Sequence, residues 1–307
     1  MTIQSWEDNG YELKLFLPKE FDFEENINYL SRNRNECLFH IHDNRIYKAI
    51  QIGEETPIIE VRSADENHLI VRFLGEQIPT SRKIRSDVAL HVREWFDLDR
   101  DLSPFYSMAK DDPLLGEAVE SFYGLRIIGI PDIFEALCWG ILGQQINLSF
   151  AYTLKRRMVE KFGRSVLHNG ATYWVFPSPA EIAELPVEEL ENLRMTKKKS
   201  EYIIGVAQQI VDGKLSKEML QQMGDYKSAE NILVKIRGIG PWTANYVLMR
   251  CLRYPSAFPI DDVGLQNSIK HRLDKEKKPT KEEILKLAVN WANWESYATF
   301  YLWRFLY

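Results

Sequence analysis

The first third of the chain carries a period of two. In "YELKLFLP" (Tyr11–Pro18) polar and apolar positions largely alternate, as in a half-buried strand. "ECLFHIHDNRIYKAIQIG" reads as two such strands joined by a polar turn at His42–Arg45, with Ile46, Ile50 and Ile52 on one face of the second. "PIIEVRS" and "NHLIVRFLG" continue the pattern, and "EENINYLSR" adds a helix. Residues 1–95 are therefore expected to form an antiparallel sheet domain.

From about Asp97 the period becomes helical. "PDIFEALCWGILGQQ" opens with Asp132 and Glu135 at capping-box spacing, as do Ser178 with Glu181 and Thr280 with Glu283. Gly163 and Gly213 stand where helix C′ residues are expected. The expected architecture is α+β: the sheet domain, then an all-α region over 96–307. Within that region 128–254 would form one helical subdomain, and 96–127 with 255–307 a second.

The 307 residues allow about two domains. With 45% hydrophobic and 27% charged residues the composition is that of an ordinary soluble protein. No apolar run reaches the length of about eighteen residues that a membrane span needs, and the N-terminus lacks the pattern of a secretory signal. Cys37, Cys138 and Cys251 lie far apart and read as reduced core residues, so neither a zinc nor an iron–sulfur site is expected. A net charge of −5 argues against a global basic field but permits a local basic face.

The most informative stretch is "KIRGIGPWTANYVLMR" (Lys235–Arg250). Gly238 and Gly240 allow positive φ and close backbone approach, and Pro241 suits the first position of the next helix. Free N–H groups at that helix start make a phosphate site that reads no base sequence. Ala244, Val247, Leu248 and Cys251 share one face and should be core. Trp242, Tyr246 and Met249 lie on nearly the opposite face and suggest the wall of a pocket. Farther on, "AFPIDDVGLQNSIKHRL" places Asp261 and Asp262 before another helix, where one of them reads equally as an N-cap.

The pattern LxxIxGIGxxTA, followed about twenty residues later by a proline and aspartate loop, resembles the helix-hairpin-helix–GPD superfamily of DNA glycosylases. "EALCWGILGQQINLSFAYTL" resembles the segment of these enzymes that faces the opened minor groove, and "LRMTKKKSEYIIGVAQQI" the helix leading to the hairpin. "WANWESYATFYLW" (Trp291–Trp303) resembles the C-terminal WxPWRSYAxxxxW block of the DNA-3-methyladenine glycosylase II family, with Asn293 and Glu295 replacing its Pro and Arg. The resemblance spans about residues 10–305.

The resemblance implies damaged duplex DNA as partner, a flipped base and no cofactor or metal. It puts the catalytic aspartate at Asp262, where a buried carboxylate would stabilise positive charge on the sugar. It implies a base pocket of Trp242, Tyr246 and Trp303, and DNA contacts from Gln144, Gln145, Gly238, Ile239, Gly240, Trp242, Thr243 and Lys198. Gln145 would fill the gap left by the base, though it also reads as a polar residue at a helix end. The runs Lys155–Arg157 and Lys197–Lys199 are candidate backbone contacts or solvated faces. Bifunctional relatives carry a nucleophilic lysine where this chain has Trp242, so hydrolysis without strand cleavage is expected. The expected setting is a monomer in the cytoplasm, on the nucleoid of a bacterium. Two alternatives stay open: a glycosylase for oxidised or deaminated bases, and a non-catalytic DNA-binding module.

Overall fold

The structure is a computed structural model and describes residues 5–75 and 78–306. Six strands form one antiparallel sheet: β1 (Trp6–Asp8), β2 (Glu12–Phe16), β3 (His40–His42), β4 (Arg45–Ala49), β5 (Ile58–Asp65) and β6 (His68–Leu74), in the order β1-β2-β6-β5-β4-β3. The polar turn foreseen at His42–Arg45 is a two-residue hairpin, with Asp43 and Asn44 both at positive φ (49° and 56°). That conformation matches the twist of the flanking strands.

The alternation has its expected consequence. Leu13 and Leu15 of β2, and Leu69, Val71 and Phe73 of β6, all point into the core. They meet Val88, Ala89 and Val92 of the helix Arg82–Trp95. This helix falls within the domain expected to combine the sheet with helices, although no stretch of the sequence singled it out. Its apolar stripe is hidden in the sequence because two of its inward-facing residues are arginines. Arg85 is bound by Asp8, while Arg93 donates to the Phe16 carbonyl (3.2 Å) and is paired with Asp99.

A second difference lies inside the region expected to be all-helical. β7 (Arg164–His168) and β8 (Ala171–Val175) form a hairpin around Asn169-Gly170, again with both turn residues at positive φ. Asn-Gly between two apolar runs is a strong hairpin signal. The hairpin packs on the main sheet: Tyr173 clusters with Ala49 and Ile58, and the Thr172 carbonyl lies 3.0 Å from His40 Nε2. Gly163, before β7, has extended backbone rather than the left-handed cap expected. It is glycine because a Cβ there would lie 2.5 Å from the Val175 carbonyl oxygen.

The centre of the helical region is the helix Ile133–Leu142, in which every residue except Glu135 is buried. A helix apolar on all sides belongs in an interior. It packs against Lys197–Val211 and Pro241–Arg250. Gly140 brings it close to the latter, since a Cβ there would lie 2.6 Å from the Thr243 methyl. One hydrophobic core runs from Leu13 to Trp303 without a break at residue 95. The three cysteines are free and buried within it or its satellites. Among the described residues no helix is long and apolar enough to cross a membrane.

Candidate active site

The helices Tyr226–Leu233 and Pro241–Arg250 form the hairpin. Gly238 has φ +92°, and a Cβ on it would overlap the Tyr202 ring at 2.2 Å, so glycine is required twice over. Gly240 differs from expectation: its backbone is extended (φ −88°, ψ 175°), and it serves as the N-cap. It is exposed, with open space where a side chain would begin. No side chain caps the helix that follows, which leaves its positive end open to an anion.

Several residues expected to touch DNA also have structural partners, and Gln144 lines the cleft as well. Gln144 Nε2 donates to the Gly238 carbonyl (2.9 Å) and to Thr243 Oγ1 (3.2 Å). Thr243 and Ile239 are buried. Lys199 is buried and donates to the Leu142 carbonyl (2.7 Å), closing the end of the central helix. Lys155 is buried between Glu36 and Glu135 (3.2 and 3.0 Å), Arg156 pairs with Glu160, and Arg157 donates to the Leu193 carbonyl. Lys198 remains exposed, one turn before Glu201 and Tyr202, which contact the hairpin at Arg237 and Gly238.

Pro259 to Asp262 turn tightly, with the Asp262 N–H donating to the Pro259 carbonyl (2.9 Å). The two aspartates separate here. Asp261 faces solvent and pairs with Lys281. Asp262 caps the helix Val263–Arg272, accepting from the Leu265 N–H (2.8 Å). Its two oxygens also accept from two indoles: Trp242 Nε1–H donates to Oδ2 (2.9 Å) and Trp303 Nε1–H to Oδ1 (2.8 Å). The carboxylate is half-buried rather than buried, and it lines a cleft of about 830 Å³. Both functions weighed for it, cap and cleft carboxylate, fall on the same side chain.

Gly264 explains how the carboxylate comes so close to Trp303. A Cβ at Gly264 would lie 2.9 Å from Asp262 Oδ1 and 3.2 Å from the Trp303 ring. Gly264→Ala is expected to raise helix propensity yet displace the carboxylate. Activity on damaged DNA should fall by about ten- to a hundred-fold with little change in unfolding midpoint. An active Gly264→Ala variant would show that the Asp262 position is not critical.

Trp242, Tyr246 and Trp303 form one continuous aromatic surface of the cleft. Trp242 stacks on Tyr246 (centroids 5.6 Å, 27°), and Tyr246 leans on Trp303 at 6.4 Å. These spacings are those of direct aromatic contact and leave no room for a further ring between them. Met249, expected on the same face, is core. The ladder continues instead to Arg250, four residues beyond Tyr246 and fully buried. Arg250 was missed because its charge hides it, although the four-residue spacing from Trp242 through Tyr246 leads to it. Tyr29 and Arg32 also line the cleft from the first third of the chain, where no local signal announces them. Glu295 is not on the cleft: it opens the helix Glu295–Trp303, two turns before Trp303, so its charge does not face the pocket.

Gln145 sits at the tip of the turn between the helices Ile133–Leu142 and Leu148–Phe162, exposed and on the cleft rim. Its φ of +57° is left-handed, which costs a non-glycine residue about 1–2 kcal/mol. Such strain is retained where the projected side chain has a use. Gln145→Gly should relieve it and leave the fold as stable or more so. If Gln145 fills the gap behind a flipped base, the same change should slow excision from matched duplex more than from mispaired DNA. Equal slowing on both would exclude that use.

The chain is similar to known proteins along most of its length. Residues 138–293 match the model of the HhH-GPD superfamily base excision DNA repair proteins, and residues 14–137 that of the 8-oxoguanine DNA glycosylase N-terminal domain. The DNA-3-methyladenine glycosylase of Bacillus subtilis (strain 168) is 54% identical over 303 residues, covering 99% of this chain and 100% of the relative. DNA-3-methyladenine glycosylase 2 of Escherichia coli (strain K12) is 32% identical over 182 residues, 59% of this chain and 60% of the relative. The solved 3-methyladenine DNA-glycosylase of Archaeoglobus fulgidus shares the fold, with a TM-score of 0.82 at 22% identity over 95% of this chain and 97% of that one. A hairpin with an open helix end, an aspartate held by two indoles and a match along the whole length have one common explanation: this chain belongs to the helix-hairpin-helix–GPD superfamily of base excision DNA repair proteins.

Proposed function

We propose that this chain is a monofunctional DNA glycosylase that flips alkylated bases such as 3-methyladenine and 7-methylguanine out of duplex DNA and hydrolyses the glycosidic bond, leaving an abasic site. The activity class follows from the superfamily and from the full-length similarity to a DNA-3-methyladenine glycosylase. The observation that carries the mechanism is the Asp262 carboxylate, fixed by the Trp242 and Trp303 indoles at the edge of an aromatic surface.

The uncapped end of Pro241–Arg250 supports a phosphate contact, which sets the register of the strand without reading it. Flipping costs a few kcal/mol and is cheapest for a damaged base. The aromatic surface receives the base, and a cationic alkylated ring gains about 0.5–2 kcal/mol on it. As the C1′–N bond lengthens, positive charge builds on the sugar, and the nearby carboxylate stabilises it. Trp242 has no nucleophilic atom and is itself bound to Asp262, so nothing at that position can form a Schiff base with C1′. In this reading the enzyme works as a monomer on cytoplasmic DNA. The segment 128–254 supplies the hairpin, and 255–307 the carboxylate.

A duplex carrying one 7-methylguanine tests this. The product strand should break only after alkali treatment, and borohydride should trap no protein–DNA adduct. Breaks before alkali, together with a trapped adduct, would overturn the hydrolytic reading.

A further inference from the structure

The floor of the cleft is a buried cation without an anion. Arg250 is 4% exposed. Its Nε donates to the Ile128 carbonyl (2.6 Å), and its Nη1 to the hydroxyls of Tyr29 (3.1 Å) and Tyr246 (2.9 Å). Rings of Tyr29, Tyr246 and Phe300 surround the guanidinium at 5.4–5.8 Å. It enters no ion pair among the described residues, and Nη2 donates to no protein group among them. Buried charges are ordinarily paired. This one instead lines the cleft.

Its place on the helix gives it a direction. Trp242, Tyr246 and Arg250 stand on successive turns of one face, about 6 Å apart along the axis. Trp242 is partly exposed and bound to Asp262, whereas Tyr246 and Arg250 are buried at 5% and 4% exposure. A purine whose sugar is held at Asp262 and whose ring lies on the Trp242–Tyr246 surface directs its far edge at Arg250. That edge carries position 6. A guanidinium is a donor only. It matches the carbonyl oxygen of a 6-oxopurine and meets the amino group of a 6-aminopurine donor against donor.

We propose that Arg250 is a specificity-determining residue, accepting 6-oxopurine lesions such as 7-methylguanine and hypoxanthine ahead of 6-aminopurine lesions such as 3-methyladenine. This deepens the glycosylase reading and rests on it. The aromatic surface takes any flat, electron-poor ring, whereas Arg250 tells the rings apart by the group at position 6.

Two measurements test the proposal. First, free hypoxanthine and free adenine, which differ at position 6 and in the N1 proton that accompanies the 6-oxo group, are compared as inhibitors of wild-type excision from methylated duplex. Hypoxanthine should inhibit at least about ten-fold better, the discrimination one well-made arginine contact supplies. Equal inhibition, or better inhibition by adenine, would overturn the proposal without any variant. Second, release of 7-methylguanine relative to 3-methyladenine is measured for wild type and for Arg250→Met. The ratio should fall about ten-fold in the variant, and Arg250→Lys should recover part of it. Loss of both activities in parallel, with the ratio unchanged, would mean that Arg250 only supports the fold. A wild type that frees neither base refutes the glycosylase reading itself and is thereby distinguished from failure of the Arg250 assignment.

Discussion

Asp262→Asn is expected to lower base excision by about 10²–10³-fold while leaving the fold and the binding of abasic-site duplex nearly unchanged. The substitution removes the negative charge and little else. Asparagine is as good an N-cap as aspartate, so the helix Val263–Arg272 keeps its start. Of the two indole donors that now meet the carboxylate, one would face the new amide group and lose its partner, a local cost that leaves the other bond in place. Single-turnover excision and thermal unfolding, measured on one preparation, separate the two effects. A variant that keeps wild-type excision would move the catalytic role elsewhere.

The largest stability effect is expected far from the chemistry, at Lys155. Its ammonium lies buried between Glu36 and Glu135, with the Trp139 ring at 5.6 Å. Trp139 also lines the cleft, so this ion cluster buttresses the pocket from behind. Burial alone pushes the Glu36 carboxyl up, but the Lys155 charge and the Leu38 amide reverse this and leave it below the usual range. Lys155→Met strands two largely covered carboxylates, 9% and 15% exposed, and should cost about 3–5 kcal/mol in urea unfolding. Adding Glu36→Gln and Glu135→Gln should recover much of that loss. The sign with pH is fixed by the lowered Glu36 value. Its contribution in wild type is present above the unfolded-state pKa and is lost as pH falls through the folded one. In Lys155→Met the stranded carboxylates are relieved by protonation. The gap between the two proteins should therefore narrow on acidification. A gap of under 1 kcal/mol at neutral pH would contradict the role given to this cluster.

Lys155 also marks where reading the sequence reaches its limit. A run of three basic residues looks the same whether it faces a phosphate or a buried carboxylate, and Glu36 lies 119 positions away. Gln144, Thr243 and Lys199 have the same ambiguity: polar side chains near a nucleic-acid motif hold that motif together as readily as they touch DNA. Features with a local cause were legible. Trp242 and Tyr246 share a face because four residues make about one helical turn, and Gly238 was recognisable from the turn it permits. Asp262 was legible through family spacing, and its indole partners only through the fold. Tyr29 and Arg32 reach the cleft through the long-range packing of the first third of the chain, which no periodicity encodes. The Asn169-Gly170 hairpin had a clear local signal that the surrounding helical pattern obscured.

In the proposed reaction the Asp262 cleft cuts alkylated bases from duplex DNA. Chromatography of the free bases released from methylated duplex by wild type, beside Asp262→Asn, tests it most directly. Wild type should release 7-methylguanine and 3-methyladenine, and the variant almost none while still binding abasic-site duplex. A wild-type protein that binds abasic-site duplex yet releases no methylated base would contradict it.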